Sequence, residues 1–515
     1  MASLATLLKN GVLICPQRGR IDGDAILIRD GSIETIGSTK KLEELYSFSE
    51  SYDLEQNFVY PGFIDTHGHP LLHGMMLGEV NLAGCSGMKD IALKLYREAQ
   101  PKSSGWVIGF GWNDALWPND EVPELTWLDY YFPDNPLFLR RVDFHAAMVN
   151  SKALKMAGIT SDSASQDIKT REGKLSGELV EEAVEIVKQH IPPFTASEKE
   201  EHLRACEEDC FRKGVTSVAD AGSEGADLKA VLDWNQKGEG RMEIYPMGLV
   251  KDSATKLAFT SEVKTLKFFA DGALGSGGAR LKAPYSDDPN NRGVSLWSSS
   301  ELTKKFQEAY EKGCQVCVHA IGDEAFSQVL DCLNETGINT KDLRWRIEHC
   351  QLVDDDDLEK FEISGFIPSM QPLQAVSDAG WLEEKMGKER LEKTYRFRSL
   401  LNKSGKIALN SDFPIEEPSV LKGFAAAISG RTPDGKSCIA ANELLSRQEA
   451  LAGFTNWGAF CQFEEDAKGL LKEGYKGDLT VLNVNLMEEN PDKIREGEVI
   501  GVFKEGRVVV RTNRS

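Results

Sequence analysis

His67 and His69 stand two residues apart in Val59-Tyr60-Pro61-Gly62-Phe63-Ile64-Asp65-Thr66-His67-Gly68-His69-Pro70. On a strand this spacing turns both imidazoles to one face. The apolar run ahead of them, with the surrounding glycine and proline, puts the pair at the C-terminal end of that strand. Two imidazoles on one face are a good chelate for zinc. Three more ligand-type residues occupy the same kind of position. His319 ends Val316-Cys317-Val318, His349 ends Trp345-Arg346-Ile347-Glu348, and Asp412 ends Ile407-Ala408-Leu409-Asn410-Ser411 ahead of Phe413-Pro414. A lone histidine at a strand end is more often a hydrogen-bonded core or rim residue than a ligand. In a chain with 8 histidines, the repetition of one topological position reverses that preference and points to a metal centre.

The elements that must carry these residues are strands alternating with helices. Ser197 and Glu200 read as a capping box before a helix that stops at Gly214, ahead of the run Val215-Thr216-Ser217-Val218-Ala219. Ser300 to Lys312 reads as a helix before Gln315-Val316-Cys317-Val318, and Asp354 to Phe361 as one before Gly365-Phe366-Ile367. Ser446 and Glu449 form another capping box. Such alternation predicts a parallel sheet, open or closed as a barrel, and in a β/α barrel the C-terminal strand ends form the catalytic rim. The two chain ends are short alternating strands instead. Neither is large enough to bury a sheet alone, so residues 1–58 and 470–515 are expected to pair as one small β domain, with the barrel over 59–469. A stretch at about 72–193 is aromatic-rich, with Trp106, Phe110, Trp112, Trp117 and Trp127 among its rings. It reads as an insertion near the mouth, either a second core or, through Trp112, part of the substrate lining.

Composition narrows the partners. The 515 residues carry 81 Asp plus Glu against 60 Lys plus Arg, a net charge of −21. That balance repels a phosphate backbone, so a small molecule is expected as partner and nucleic acid is not. No apolar run approaches the ~20 residues that span a bilayer, so no membrane partner is expected. The N-terminal MASLATLLKNGVLICP has no basic stretch before its short apolar run and makes a poor signal peptide, so the 10 scattered cysteines are expected to be reduced thiols of a cytoplasmic protein. Cys314 and Cys317 have CxxC spacing without the second pair of a zinc ribbon. The Gly-rich run Asp271 to Gly278 lacks the ending of a P-loop, and Asp354 to Asp357 reads as a helix cap, not a calcium loop. A homodimer stays open.

Together, PGFIDTHGHP, KFFADGALGSGGARL, VCVHAIGDEA, RIEHCQ and LNSDFP resemble the amidohydrolase superfamily over nearly the whole chain. The closer likeness is to its metal-dependent hydrolase branch of the amidohydrolase 3 type, which includes N-substituted formamide deformylases. The resemblance implies an α/β fold, a distorted (β/α)8 TIM barrel with a small β-sandwich built from both chain termini. It also implies a role for Lys267, at a position where the family often carries a lysine modified by carbon dioxide. A free lysine, with a pKa near 10.4, is a cation and cannot bind a metal, whereas its carbamate is an anion that can bridge two ions. The implied centre holds one or two divalent ions, Zn2+ foremost. His67 and His69 hold the first, His319 and His349 the second, and Lys267 bridges. Asp412 binds the first and moves protons. The implied reaction is hydrolysis of a carbon–nitrogen bond, other than a peptide bond, in an amide-like small molecule.

The chain departs from the branch at Gln371-Pro372-Leu373-Gln374, where Gln-Pro-Thr-His is common, and at Gly277, where arginine is common. Arg141-Val142-Asp143-Phe144-His145-Ala146 resembles the family's Arg-x-Asp-x-His-Ala segment, so His145 is expected at the substrate together with Trp112 and Gln371. Two rivals remain. A deaminase of the superfamily commonly has His-x-x-Glu after the fifth strand, where this chain has Gly322. A non-catalytic scaffold usually loses ligands that this chain keeps.

Overall fold

The computed structural model describes residues 5–99, 105–114, 117–118, 122–141, 146–163, 165, 167–238 and 241–512. Its chain divides into two compact units, Met1–Pro70 with Cys206–Ser515, and Leu71–Ala205.

The first unit is organised by an eight-stranded parallel sheet whose strands follow chain order. They are β1 (Phe63–Gly68), β2 (Val215–Ser223), β3 (Glu243–Leu249), β4 (Thr265–Phe269), β5 (Gln315–Ala320), β6 (Arg346–His349), β7 (Ile367–Met370) and β8 (Ala408–Leu409). First and last strands meet just beyond their ends. The Asp412 N–H donates to the His67 carbonyl at 2.9 Å and the His69 N–H to the Phe413 carbonyl at 2.8 Å, so the sheet nearly closes into a barrel. The fold class is therefore the α/β barrel that the sequence resemblance implies.

Helices return the chain between these strands, and their ends follow local chemistry. Ser298 with Glu301 caps Ser299–Glu311 ahead of β5, and Gly365, at φ 72°, ends Asp355–Ser364 ahead of β7. The cap before β2 lies two residues ahead of the Ser197 and Glu200 pair: Thr195 and Glu198 exchange the two bonds at the start of Ala196–Arg212. A threonine and glutamate three apart offer the same chemistry as Ser197 and Glu200, and the chain uses the earlier pair. Inside the barrel, side chains alternate by layer. Ala219, Met247 and Cys317 pack together, with Tyr245 against them, and Tyr245, Thr265 and Gln315 form a polar chain through bonds of 2.8 and 2.7 Å. On the same parity, Lys267 stands two residues beyond Thr265 and His319 two beyond Cys317. Burial pushes the Cys314 thiol up to about 11 and the Cys317 thiol to about 12, which makes this pair apolar filling.

Both chain ends add strands to the first unit. Leu479–Leu482 runs antiparallel to Phe58–Pro61 within a six-stranded sheet that also holds Val12–Cys15, Val499–Lys504 and Arg507–Arg511. A four-stranded sheet of N-terminal residues shares its core through Leu8, Ile26 and Ile28 against Val59, Leu479 and Phe503.

The second unit has its own six-stranded sheet, in the order Ile168–Arg171, Lys174–Val180, Ala146–Val149, Leu137–Arg141, Val107–Trp112, Val80–Asn81. Its aromatic rings build its own cores, with Trp112, Trp117 and Phe132 in one cluster and Trp106 and Phe138 in another. Among the described residues no helix is long and apolar enough to cross a membrane.

Candidate metal centre

The C-terminal strand ends of the first unit bring His67, His69, Lys267, His319, His349 and Asp412 together. His67 lies with its Nδ1 2.5 Å from Glu348 Oε2 and its Nε2 3.4 Å from Lys267 Nζ. Asp412 Oδ1 stands 3.5 Å from His67 Nε2 and 3.3 Å from His69 Nε2, and the donor atoms of these three residues all lie within 4.8 Å of one another. The His349 ring is 4.4 Å from that of His319 and 5.0 Å from that of His67, centroid to centroid. Asp412 Oδ2 is 3.9 Å from His349 Nδ1. All of these are buried except His69, whose side chain is 27% exposed and marks the open side.

Local backbone chemistry explains the convergence. His349 and Asp412 sit at φ 73° and 58°, in the left-handed region that ordinary side chains seldom adopt. At His349 this turn lets two adjacent residues, Glu348 and His349, both face the centre, which strict strand alternation forbids. Asp65 ties β1 to the segment carrying Asp412, accepting from the Ser411 hydroxyl at 2.6 Å, the Ser411 N–H at 3.1 Å and the His67 N–H at 3.2 Å. Asp271 clamps the Gly-rich segment, accepting from the N–H groups of Gly322, Arg280 and Ile321 at 2.8, 2.9 and 3.0 Å, and its Oδ1 lies 3.4 Å from His319 Nε2. At Gly222, φ 120°, a Cβ would come within 3.0 Å of Lys267 Cγ, so only glycine leaves room for the lysine stem.

Burial sets the charges. It lowers His67 to about 4, His319 to about 3 and His349 well below its ordinary value, with the Lys267 cation pushing each the same way. It lowers Lys267 to about 8 against the pull of Glu348 and Asp412. Burial pushes Asp412 up, but His67, His69 and Lys267 outweigh it and hold the carboxyl below its ordinary value. At neutral pH His67, His319 and His349 are therefore neutral imidazoles beside an ionised carboxylate, the protonation states that bind a divalent cation. Among the described residues, two buried atoms in it, His319 Nε2 and Asp412 Oδ1, find no hydrogen-bond partner. Orphaned buried acceptors call for an ion or water, so the residues fit a metal.

Of the residues expected at the substrate, Gln371 is buried against His349. Its Oε1 is 3.1 Å from His349 Nδ1, and its amide donates to Asn410 Oδ1 at 2.7 Å. Trp112 is buried in the second unit's core, its indole N–H on the Leu139 carbonyl at 2.8 Å. His145 lies outside the described residues. Glu348, Arg346, Asp65 and Asp271 were not singled out from sequence. For the first three a signal was available as i, i+2 spacing: Asp65 before His67, and Arg346 before Glu348.

Residues 50–510 match the amidohydrolase family. YtcJ of Bacillus subtilis (strain 168), which carries an amidohydrolase name, is 30% identical over 507 residues, 94% of this chain and 96% of its own. The N-substituted formamide deformylase of Arthrobacter pascens is 23% identical over 529 residues, covering 95% of both chains. The crystal structure of an uncharacterized metal-dependent hydrolase from Pyrococcus furiosus superposes with a TM-score of 0.78 at 26% identity, over 94% of this chain and 100% of that one. These matches run through the barrel, the second unit and most of the strands at the chain ends, so they rest on far more than a histidine motif: the chain is a hydrolase that belongs to the amidohydrolase family.

Proposed function

We propose that this hydrolase cleaves a carbon–nitrogen bond, other than a peptide bond, in an amide-like small molecule, at a centre of one or two divalent ions. The observation that carries this reading is the placement of Asp412 Oδ1, buried and without a hydrogen bond among the described residues, between the Nε2 atoms of His67 and His69. These three residues would hold one ion. His319 and His349 would hold a second, with Lys267 as a bridging carbamate. The nitrogen-rich donor set with carboxylate favours Zn2+. A divalent ion there supplies acidified water and polarises a carbonyl oxygen.

The chain's own groups do the rest. Asp412, ionised at neutral pH, accepts the proton of the attacking water and returns it to the leaving nitrogen. Gln371 holds the His349 ring through Nδ1 and leaves Nε2 free. The Lys267 amine, lowered to about 8 by burial, is partly neutral near pH 7. Its lone pair attacks the carbon of carbon dioxide, and one proton leaves to give the carbamate. Substrate approaches beside His69, the exposed ligand. The deaminase alternative lacks its acid: a Cβ at Gly322 would lie 2.0 Å from the Arg280 carbonyl oxygen, so no glutamate fits there.

N-formyl amines are the first substrates to try, because one relative is named for deformylating them. Metal content of the purified protein is measured by mass spectrometry, and amine release from N-formyl and N-acyl amines is followed before and after chelation. The expected result is bound divalent metal, with turnover that chelation removes and Zn2+ restores. Turnover that survives complete metal removal would overturn the proposal.

A further inference from the structure

A row of buried charge runs beneath the centre and ends on His67. Arg346 and Glu348 alternate along β6, both with 0% exposure. Arg346 Nε donates to Glu348 Oε1 at 2.7 Å, and its Nη2 donates to the Thr66 carbonyl at 3.2 Å, next to His67 in the chain. The other carboxylate oxygen, Oε2, is 2.5 Å from His67 Nδ1. An ionised carboxylate only accepts and a guanidinium only donates. With Oε1 occupied by Arg346, Oε2 is left to accept from His67, so Nδ1 carries the ring proton. Nε2 then keeps its lone pair, and Nε2 is the atom 3.4 Å from Lys267 Nζ and 3.5 Å from Asp412 Oδ1. A buried ion pair is weak evidence of a stabilising role by itself. Here the pair is spent on a third partner, and that partner is a candidate ligand.

We infer that Glu348, anchored by Arg346, is a positioning residue that fixes the tautomer and ring orientation of His67 for a divalent ion. The inference rests on the metal-hydrolase reading above and deepens it, because Glu348 acts through His67 and not on substrate. Partners of this kind are typically worth about 10–100-fold in metal affinity.

Glu348→Gln tests it with almost no change of shape. The amide has one oxygen and one NH2 group. Arg346 can only donate, so the oxygen turns to Arg346 and the NH2 faces His67 Nδ1. The imidazole must then accept at Nδ1 and carry its proton on Nε2, the wrong tautomer for a ligand. Zn2+ binding to the metal-free protein is measured by competition with a chromophoric chelator, and the expected loss is about 10–100-fold. In parallel, wild-type metal-free protein labelled with 15N-histidine reports the tautomer directly, with the His67 signal assigned by its loss in His67→Asn. An Nδ1–H tautomer is expected. This measurement needs no folded Glu348 variant, and an Nε2–H tautomer would overturn the inference. So would wild-type Zn2+ affinity in Glu348→Gln. Wild-type protein that binds no divalent ion would instead remove the underlying reading together with the inference.

Discussion

Two buried lysines of the first unit can be set side by side. Lys267, on β4, reaches the C-terminal rim of the barrel, where its Nζ meets His67 Nε2 at 3.4 Å and the Phe269 ring at 4.8 Å from the centroid. Lys468 is 3% exposed and reaches the start of β3, where its Nζ meets Glu243 Oε2 at 3.2 Å and forms an ion pair with Glu464. Glu243 also takes Lys476 at 2.9 Å. Burial lowers both ammonium groups, but the outcomes diverge. At Lys468 the two carboxylates outweigh burial and raise the group above its ordinary value, while Lys468 in turn holds Glu243 far below the carboxylate range. At Lys267 burial wins and the group falls to about 8. A cation matched by carboxylates in contact is fixed in one charge state and serves structure. A cation facing imidazole and an aromatic ring can lose its proton near neutral pH and is available for chemistry.

The rim and the foot of the barrel should therefore fail in different ways. The largest effect is expected at Asp412. Asp412→Asn keeps the shape and one oxygen for an ion but loses the basicity, so kcat should fall by about 10²–10⁴-fold while zinc content stays near wild type. Both are measured on one preparation. Zinc lost in proportion to activity would reduce Asp412 to a ligand, and an unchanged kcat would take it out of proton transfer. At the foot, Lys468→Met leaves Glu243 with Lys476 and the weaker pull of Lys504, and Glu464 with Lys476. Breaking a buried pair costs about 3–5 kcal/mol, so the denaturation midpoint should drop while zinc per folded chain is unchanged. Wild-type stability would mean that the remaining lysines suffice to neutralise Glu243, and lost zinc would mean that the foot and the rim are one cooperative unit.

The sequence made legible what periodicity and spacing encode. The i, i+2 pair of His67 and His69, and the strand ends at His319, His349 and Asp412, could be read because one rule, an apolar run giving way to a loop, located them all. Lys267 sits inside its run and came from family resemblance alone. What spacing could not encode is the left-handed turn at His349, φ 73°, which brings Glu348 to the same centre as its neighbour. By alternation only one of the two should have faced inward. Gln371 stands just past β7 and reads as a rim residue open to substrate, but its contact with His349 depends on how β6 and β7 sit side by side, a long-range property. Trp112 shows the limit of reading rings by composition. An aromatic-rich stretch fills a core as readily as a pocket, and this ring fills a core.

The smallest expected effect is also the sharpest test of the comparison, because one substitution at the two lysines should move stability in opposite directions. In the metal-free protein, without carbon dioxide, Lys267 is lowered from 10.5 to about 8. The sign follows from proton linkage. Between about pH 8 and 10.5 the unfolded chain holds a proton at this lysine that the folded chain has released, so stability rises with pH across that window. Below pH 8 both states are protonated, and the folded protein carries the full cost of a buried cation, roughly 3 kcal/mol for a depression of this size. Lys267→Met removes that cost. Metal-free Lys267→Met should be more stable than metal-free wild type at pH 7 by up to about 3 kcal/mol, with the advantage shrinking as pH climbs from about 8 to 10.5. Lys468→Met, by contrast, is destabilising at pH 7. Denaturation curves at pH 7 and pH 10 on the two variants and wild type decide it. If Lys267→Met lost stability as Lys468→Met does, Glu348 and Asp412 would be holding Lys267 as a paired cation, and the amine needed for a carbamate would not be present near neutral pH.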